Sequence, residues 1–150
     1  MKKIFSAFGI FLLLATLSCS KSPVEPKPAE ATKFPVPNWK ADETGKYPAT
    51  MTAVFSLPAT LAASSQENDK LAAFVNDECR GVGEIVKFNN QNLFFVLIQG
   101  LPDENSSITI KYFSSKTAYM YQSQAVLTFL ADGNYGTAEE SKIVALTQVK

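Results

Sequence analysis

Between Asp69 and Gly83 the chain reads DKLAAFVNDECRGVG, which sets Asp77, Glu78, Cys79 and Arg80 side by side. A thiol reacts as its thiolate; Arg80 would favour that form, while Asp77 and Glu78 oppose it. The 150 residues contain no histidine, which removes Ser-His-Asp and Cys-His machinery and the usual zinc sites. There is no phosphate-cradling loop of the P-loop kind. The acidic groups Glu67-Asn68-Asp69, Asp77-Glu78 and Asp103-Glu104-Asn105 fall at expected turns, where acids are commonly solvated or cap their own backbone. None has EF-hand spacing. A glycosidase pair is defined by separation in space, and nothing in these spacings selects one. The expectation is a protein that is not an enzyme, with no catalytic, metal-binding or cofactor-binding residues. Cys79 is then read as a small apolar side chain.

Aromatic residues offer the alternative to catalysis. Trp39, Tyr119, Tyr121 and Tyr135 lie near a linker, between short strands, or in a glycine-rich loop. Exposed rings on a rigid scaffold suit sugar faces or a protein partner. The competing reading is that they close the ends of the core, with Trp39 docking the linker onto the domain.

The address of the protein is written in its first residues. Met1-Lys2-Lys3-Ile4 leads into an apolar run ending at Leu17-Ser18-Cys19, the pattern of a secretory signal peptide. The run is shorter than the roughly 20 apolar residues that span a bilayer. Ser18-Cys19 after a leucine-rich run resembles the lipobox of bacterial lipoproteins, although Thr16 and Leu17 depart from its usual order. The resemblance implies cleavage after residue 18 and acylation of Cys19; the alternative is an ordinary signal peptide cut nearby. Acyl chains at about 0.8 kcal/mol per buried methylene hold a protein on a membrane, lastingly when two or three act together. Residues 19–37 carry Pro23, Pro26, Pro28, Pro35 and Pro37 and read as a polyproline-biased tether. An outer-membrane lipoprotein of the cell envelope is expected. Ser20-Lys21-Ser22 lacks an acidic run and leaves the side of that membrane open.

With Cys19 acylated, Cys79 has no disulfide partner, so the domain from residue 38 to 150 must stand on its core. A charge balance of zero gives no basic field for nucleic acid. Met51, Ala53, Phe55 and Leu57 alternate with Thr52, Val54 and Ser56, the period of a strand. Further strands are expected over Leu71–Val75, Gly81–Phe88, Leu93–Gln99, Ile108–Phe113, Ala118–Gln122, Ala125–Leu130 and Ile143–Val149. Turn residues such as Asn76-Asp77 and Asn89-Asn90 separate them. Leu61-Ala62-Ala63 fits a helical turn or a loop. The fold class is all-β, a single antiparallel β-sandwich of about seven or eight strands, immunoglobulin-like or jelly-roll-like. Leu93 to Ile98 is apolar on both faces, predicting a central strand covered on both sides.

Folding Leu71–Val75 and Cys79–Val82 into a hairpin that turns at Asn76-Asp77 or at Asp77-Glu78 places Ala72, Phe74, Cys79 and Gly81 on one face in either register. Leu71, Ala73, Val75, Arg80 and Val82 take the other. Cys79 then lies beside Phe74, and Gly81 leaves a hollow for an aromatic ring. Arg80 must snorkel or meet a carboxylate; Asp69, Glu78 and Glu84 are the candidates, in a rim salt bridge or a ligand clamp.

The run Leu71-Ala72-Ala73-Phe74-Val75-Asn76-Asp77-Glu78-Cys79-Arg80-Gly81-Val82 resembles the "AAFVGDECRGV" signature of β-sandwich modules in Bacteroidota surface and secreted proteins. The likeness continues through Ile108–Phe113, Tyr119–Tyr121 and Asp132–Gly136. It implies a β-sandwich in which Phe74, Cys79, Arg80 and Gly81 are structural, and brings no catalytic residue. Asn76 stands where the signature has glycine, and asparagine best tolerates the left-handed turn position. The functional expectation is a membrane-anchored binding or adhesion module for glycan or protein; the alternative is an assembly subunit of a surface complex.

Overall fold

The computed structural model describes residues 31–150. Cys19 and most of the tether lie outside the described residues. The chain is all-β: a single, mostly antiparallel, curled sheet with one helical turn. Its strands are β1 (Ala49–Ser56), β2 (Lys70–Val75), β3 (Glu78–Phe88), β4 (Gln91–Gly100), β5 (Ser107–Ser114) and β6 (Tyr119–Thr128). Three two-residue strands follow: β7 (Asn134–Tyr135), β8 (Lys142–Ile143) and β9 (Thr147–Gln148). The order is β7-β1-β4-β3-β2-β5-β6-β9, with β8 also on β1. The short helix α1 (Ala59–Ala62) occupies the Leu61–Ala63 region where a helical turn or loop was expected.

Two hairpins turn on asparagine-led pairs. Asn76 and Asp77 have φ of 47° and 65°, and Asn89 and Asn90 have 46° and 62°. Two successive left-handed residues make the turn whose twist matches that of paired strands, so Val75 faces Glu78 and Phe88 faces Gln91.

The β2–β3 hairpin departs from the expected sorting one residue beyond its turn. Cys79 lies beside Phe74 as expected, directly facing it, but Ala73 faces Gly81 and Ala72 faces Val82. Arg80 is therefore the extra residue of a β-bulge, which shifts the pleat by one. Gly81 joins Ala73, and Val82 moves to the face of Ala72. The expected hollow at Gly81 is filled by backbone: an added Cβ would sit 2.3 Å from the Leu97 carbonyl oxygen. Here β3 passes from pairing with β2 to pairing with β4, and glycine permits the close approach.

The curl follows from the C-terminal segment. Phe55 and Ser56 of β1 pair with Lys142 and Ile143, whereas Tyr121 and Gln122 of β6 pair with Gln148 and Thr147. The step from Ile143 to Thr147 spans at most about 14 Å, so the two outer strands are brought close. Inside the curl, Phe55, Leu71, Phe94, Ile98, Ile108, Ile110 and Phe129 are buried. Phe94 and Tyr112, from non-adjacent strands, meet edge to face at 6.0 Å. The expected final strand over Ile143–Val149 is thus two short pieces, because the buried Val144 turns inward between them.

Two further expectations are corrected. The runs expected at Ala118–Gln122 and Ala125–Leu130 form one strand, β6, whose register shifts against β5 between Ile108 and Lys111. In that irregular stretch Ser123 Oγ accepts from the Ile110 amide at 2.7 Å, replacing a backbone acceptor. Strand β4 is central, between β1 and β3, yet only one of its faces is fully covered. Leu97 is 53% exposed on the convex side. It borders an open groove of about 260 Å³ with Thr52, Val54, Val82, Glu84 and Phe95.

Candidate functional site

The bulge at Arg80 delivers its side chain into a buried electrostatic cluster. Arg80 is 6% exposed and lies at the ends of β3 and β4. Its Nη1 and Nη2 donate to the two carboxylate oxygens of Glu104 at 3.1 and 3.3 Å, and Nη1 also donates to the Gln99 carbonyl. The guanidinium stacks 3.4 Å from the centroid of the Tyr47 ring. Of the three partners expected from sequence, only Glu78 is near, at 3.6 Å from Nε. Glu78 is itself bound by the Tyr47 hydroxyl at 2.6 Å and by Lys46 at 2.9 Å. The principal partner is Glu104, which sequence patterning assigns to the solvated turn acids.

Glu104 also accepts from the Leu101 amide at 2.9 Å. Burial pushes its carboxyl up, but the hydrogen bonds from Leu101, Ser106 and Arg80 and the Arg80 charge outweigh this and hold it low. Glu78 is held low by the Tyr47 hydroxyl first and Lys46 second. With Tyr47 stacked on the guanidinium and both Glu104 oxygens occupied, the cluster is a lock joining the segment before β1, the β2–β3 hairpin and the β4–β5 loop. Nη1 and Nη2 are engaged by Glu104 and Gln99, while the buried Nε has no hydrogen-bond partner among the described residues.

Asp69 is the second buried acid, and it does not meet Arg80. Its Oδ2 accepts from the Tyr112 hydroxyl at 2.6 Å and the Gln66 amide at 2.8 Å. Its Oδ1 accepts from the amide and hydroxyl of Ser115, both at 2.8 Å. Four donors satisfy the carboxylate at 5% exposure, as a buried charge requires. Burial first, and the Asp69 hydrogen bond and charge second, push the Tyr112 phenol far above its ordinary value. Neither acid was legible as buried: charge type marks both for the surface, and their side-chain partners Arg80, Tyr112 and Ser115 lie 24 to 46 residues away.

The aromatic candidates are dispersed. Trp39 packs edge to face on Phe74 at 5.7 Å, the docking contact that sequence offered as the alternative role. Tyr135 leans on Phe55 at 5.9 Å and Tyr121 on Tyr112 at 5.8 Å; both pack against the core. Tyr119 pairs with Ser114 at the β5–β6 loop. All four are half-buried; Tyr119 and Tyr121 lie two residues apart on β6, whereas Trp39 and Tyr135 rest on Phe74 and Phe55. Cys79 is half-buried beside Phe74, with its Sγ 3.7 Å from the Gly81 carbonyl oxygen. Burial raises its thiol above the ordinary value.

A concave site exists elsewhere, on residues that sequence patterning did not single out. A cleft of about 760 Å³ opens between the loop from Ala59 to Asn68 and the tip of the β3–β4 hairpin. One wall carries Ser65, Gln66, Glu67 and Asn68; the other carries Lys87, Asn90, Gln91 and Asn92. Leu57 and Ile143 add apolar surface. Both walls are anchored. The Asp69 carboxylate fixes the Gln66 amide, the left-handed Asn89-Asn90 turn shapes the hairpin tip, and Asn92 Nδ2 bridges to Ser65 Oγ at 3.2 Å. The volume falls within the usual range of small-molecule sites. The available signal was the density of amides at two turns, which ordinary turn chemistry also explains. Among the described residues, no group of three or more Cys, Asp and Glu is gathered to hold a metal ion, and no helix is long and apolar enough to cross a membrane. Comparison with protein-family models, with curated proteins and with solved structures found no match.

Proposed function

We propose that this protein is a non-catalytic binding module of the cell envelope, held on the outer membrane through acylated Cys19 and presenting its cleft to a glycan or protein ligand. The observation carrying this reading is the anchored cleft between the Ala59–Asn68 loop and the β3–β4 hairpin tip. Its walls are preorganised by the buried Asp69 network and the Asn92–Ser65 bridge, which lowers the ordering cost of binding. We read the curled sheet as a sandwich whose layers join through β3, which pairs with β2 at one end and with β4 at the other. The lipobox-like Ser18-Cys19 and the prolines that follow support the anchor and tether.

The anchor is tested by fatty-acid labelling of cells: label on the protein, lost in Cys19→Ser, is expected, and labelling that survives this substitution overturns acylation at Cys19. Digestion of intact cells with an added protease then reports the face of the membrane on which the domain sits. Binding is tested by a glycan array and by affinity capture with the full chain in detergent; silence in both removes the binding-module reading. A second reading, an assembly subunit of a surface complex, draws on the open apolar groove around Leu97. A reproducible protein partner lost on Leu97→Lys, with no glycan bound, selects that reading.

A further inference from the structure

We propose that the cleft takes a neutral saccharide, an assignment that rests on the binding-module reading and narrows its ligand class. The walls present neutral hydrogen-bonding groups at high density: Gln66, Asn68, Asn90, Gln91 and Asn92 all line the cleft. Full formal charge comes from one residue of each sign, Glu67 and Lys87, so the site carries no net field to attract an anion or a cation. An amide offers donors and an acceptor on one rigid plane, which matches the paired donor and acceptor character of a sugar hydroxyl.

Two of these amides are already oriented. Gln66 Nε2 donates to the carbonyls of Ser64 and Ser65 at 3.2 and 3.1 Å, which leaves Oε1 as a fixed acceptor. Asn92 Nδ2 is held by Ser65 Oγ and leaves Oδ1 in the same role. Asn68, Asn90 and Gln91 are exposed and supply donors. The apolar component is Leu57 beneath and Ile143 beside, the latter 73% exposed. A sugar ring, polar at its edge and C–H at its faces, meets both kinds of surface at once. The lining joins the loop to strand ends at Ser56, Lys87, Gln91, Asn92 and Ile143, and capture of a protein in place of a saccharide is therefore one outcome of the test.

The test uses the full chain in detergent on an array of immobilised neutral oligosaccharides of differing sugar and linkage, with sulfated and uronic-acid glycans as the charged arm. Retention of at least one neutral glycan is expected. The Asn68→Ala/Gln91→Ala double variant should weaken it about tenfold or more while leaving circular dichroism and Tm unchanged. Affinity unchanged by that variant overturns the site, as does retention of charged glycans alone or of no glycan. A protein captured by the full chain and lost in the same variant overturns the saccharide class while leaving the binding module standing. Where the double variant itself unfolds, the single variant Gln91→Ala serves: neutral-glycan binding weakened about threefold or more is expected, and unchanged affinity overturns the site.

Discussion

Arg80 shows how one inserted residue changes what a side chain can reach. In a regular ladder it would lie on a sheet face; as the bulge residue it meets Glu104, Glu78 and the Tyr47 ring together. Arg80→Ala strands Glu104, whose side chain is 10% exposed, and breaking such a pair costs about 3–5 kcal/mol. A Tm lowered by more than about 10 °C is expected in thermal denaturation, and an unchanged Tm would refute the lock. Glu104 and Glu78 are both held below the ordinary carboxylate range. Their contribution is therefore complete above the unfolded value, near pH 4.3, and is lost as pH falls through the folded values. Urea midpoints should drop between pH 6 and pH 3, and Glu104→Gln should flatten that dependence. Cys79, with its thiol raised by burial, should label slowly at pH 7 and accelerate about tenfold per pH unit beyond the point where a free thiol levels off. Labelling at the rate of a free cysteine at neutral pH would contradict its packing role.

At the scale of elements, the bends of the sheet are set by a few backbone positions. The convex face left open at Leu97 and the irregular β6 both follow from a sheet that must curl to cover its own core. Gly81 is the tightest point, with the Leu97 carbonyl occupying the place of a Cβ. Gly81→Ala must push β3 away from β4, and overpacking of that kind costs about 1–3 kcal/mol. A Tm drop of several degrees is expected, whereas neutrality would mean that the strands separate freely. The hairpins are legible in the residues themselves because their turn chemistry is local, although the choice of Asn76-Asp77 over Asp77-Glu78 as the two-residue loop was made by the structure. The bulge is not, since whether residue 80 or its neighbour is extruded depends on Glu104 and Tyr47, both far away along the chain.

Over the whole molecule, the linker is part of the structure from Phe34 onward, whose amide donates to the Ala118 carbonyl at 2.8 Å. Trp39 then covers Phe74, and Lys111 Nζ lies 4.4 Å from the same ring. Trp39→Ala should release the segment between Phe34 and Lys46 while the sheet persists. Limited proteolysis should cut there at least several-fold faster, with circular dichroism little changed; equal cutting rates would show that the ring does not hold the linker.

Most of the strand runs, the positions of the asparagine-led turns and the single-core all-β class were legible from the residues alone, because periodicity and turn preference act within a few positions. So was the placement of Cys79 beside Phe74. The tertiary structure alone decided that Arg80 leaves the ladder, that Asp69 and Glu104 go inside, that Trp39 and Tyr135 rest on Phe74 and Phe55, and that amides of a loop and a hairpin tip assemble a cleft. Each of those outcomes depends on groups distant in sequence that become neighbours only when the sheet curls, and a buried charge reveals itself only through the partners that satisfy it.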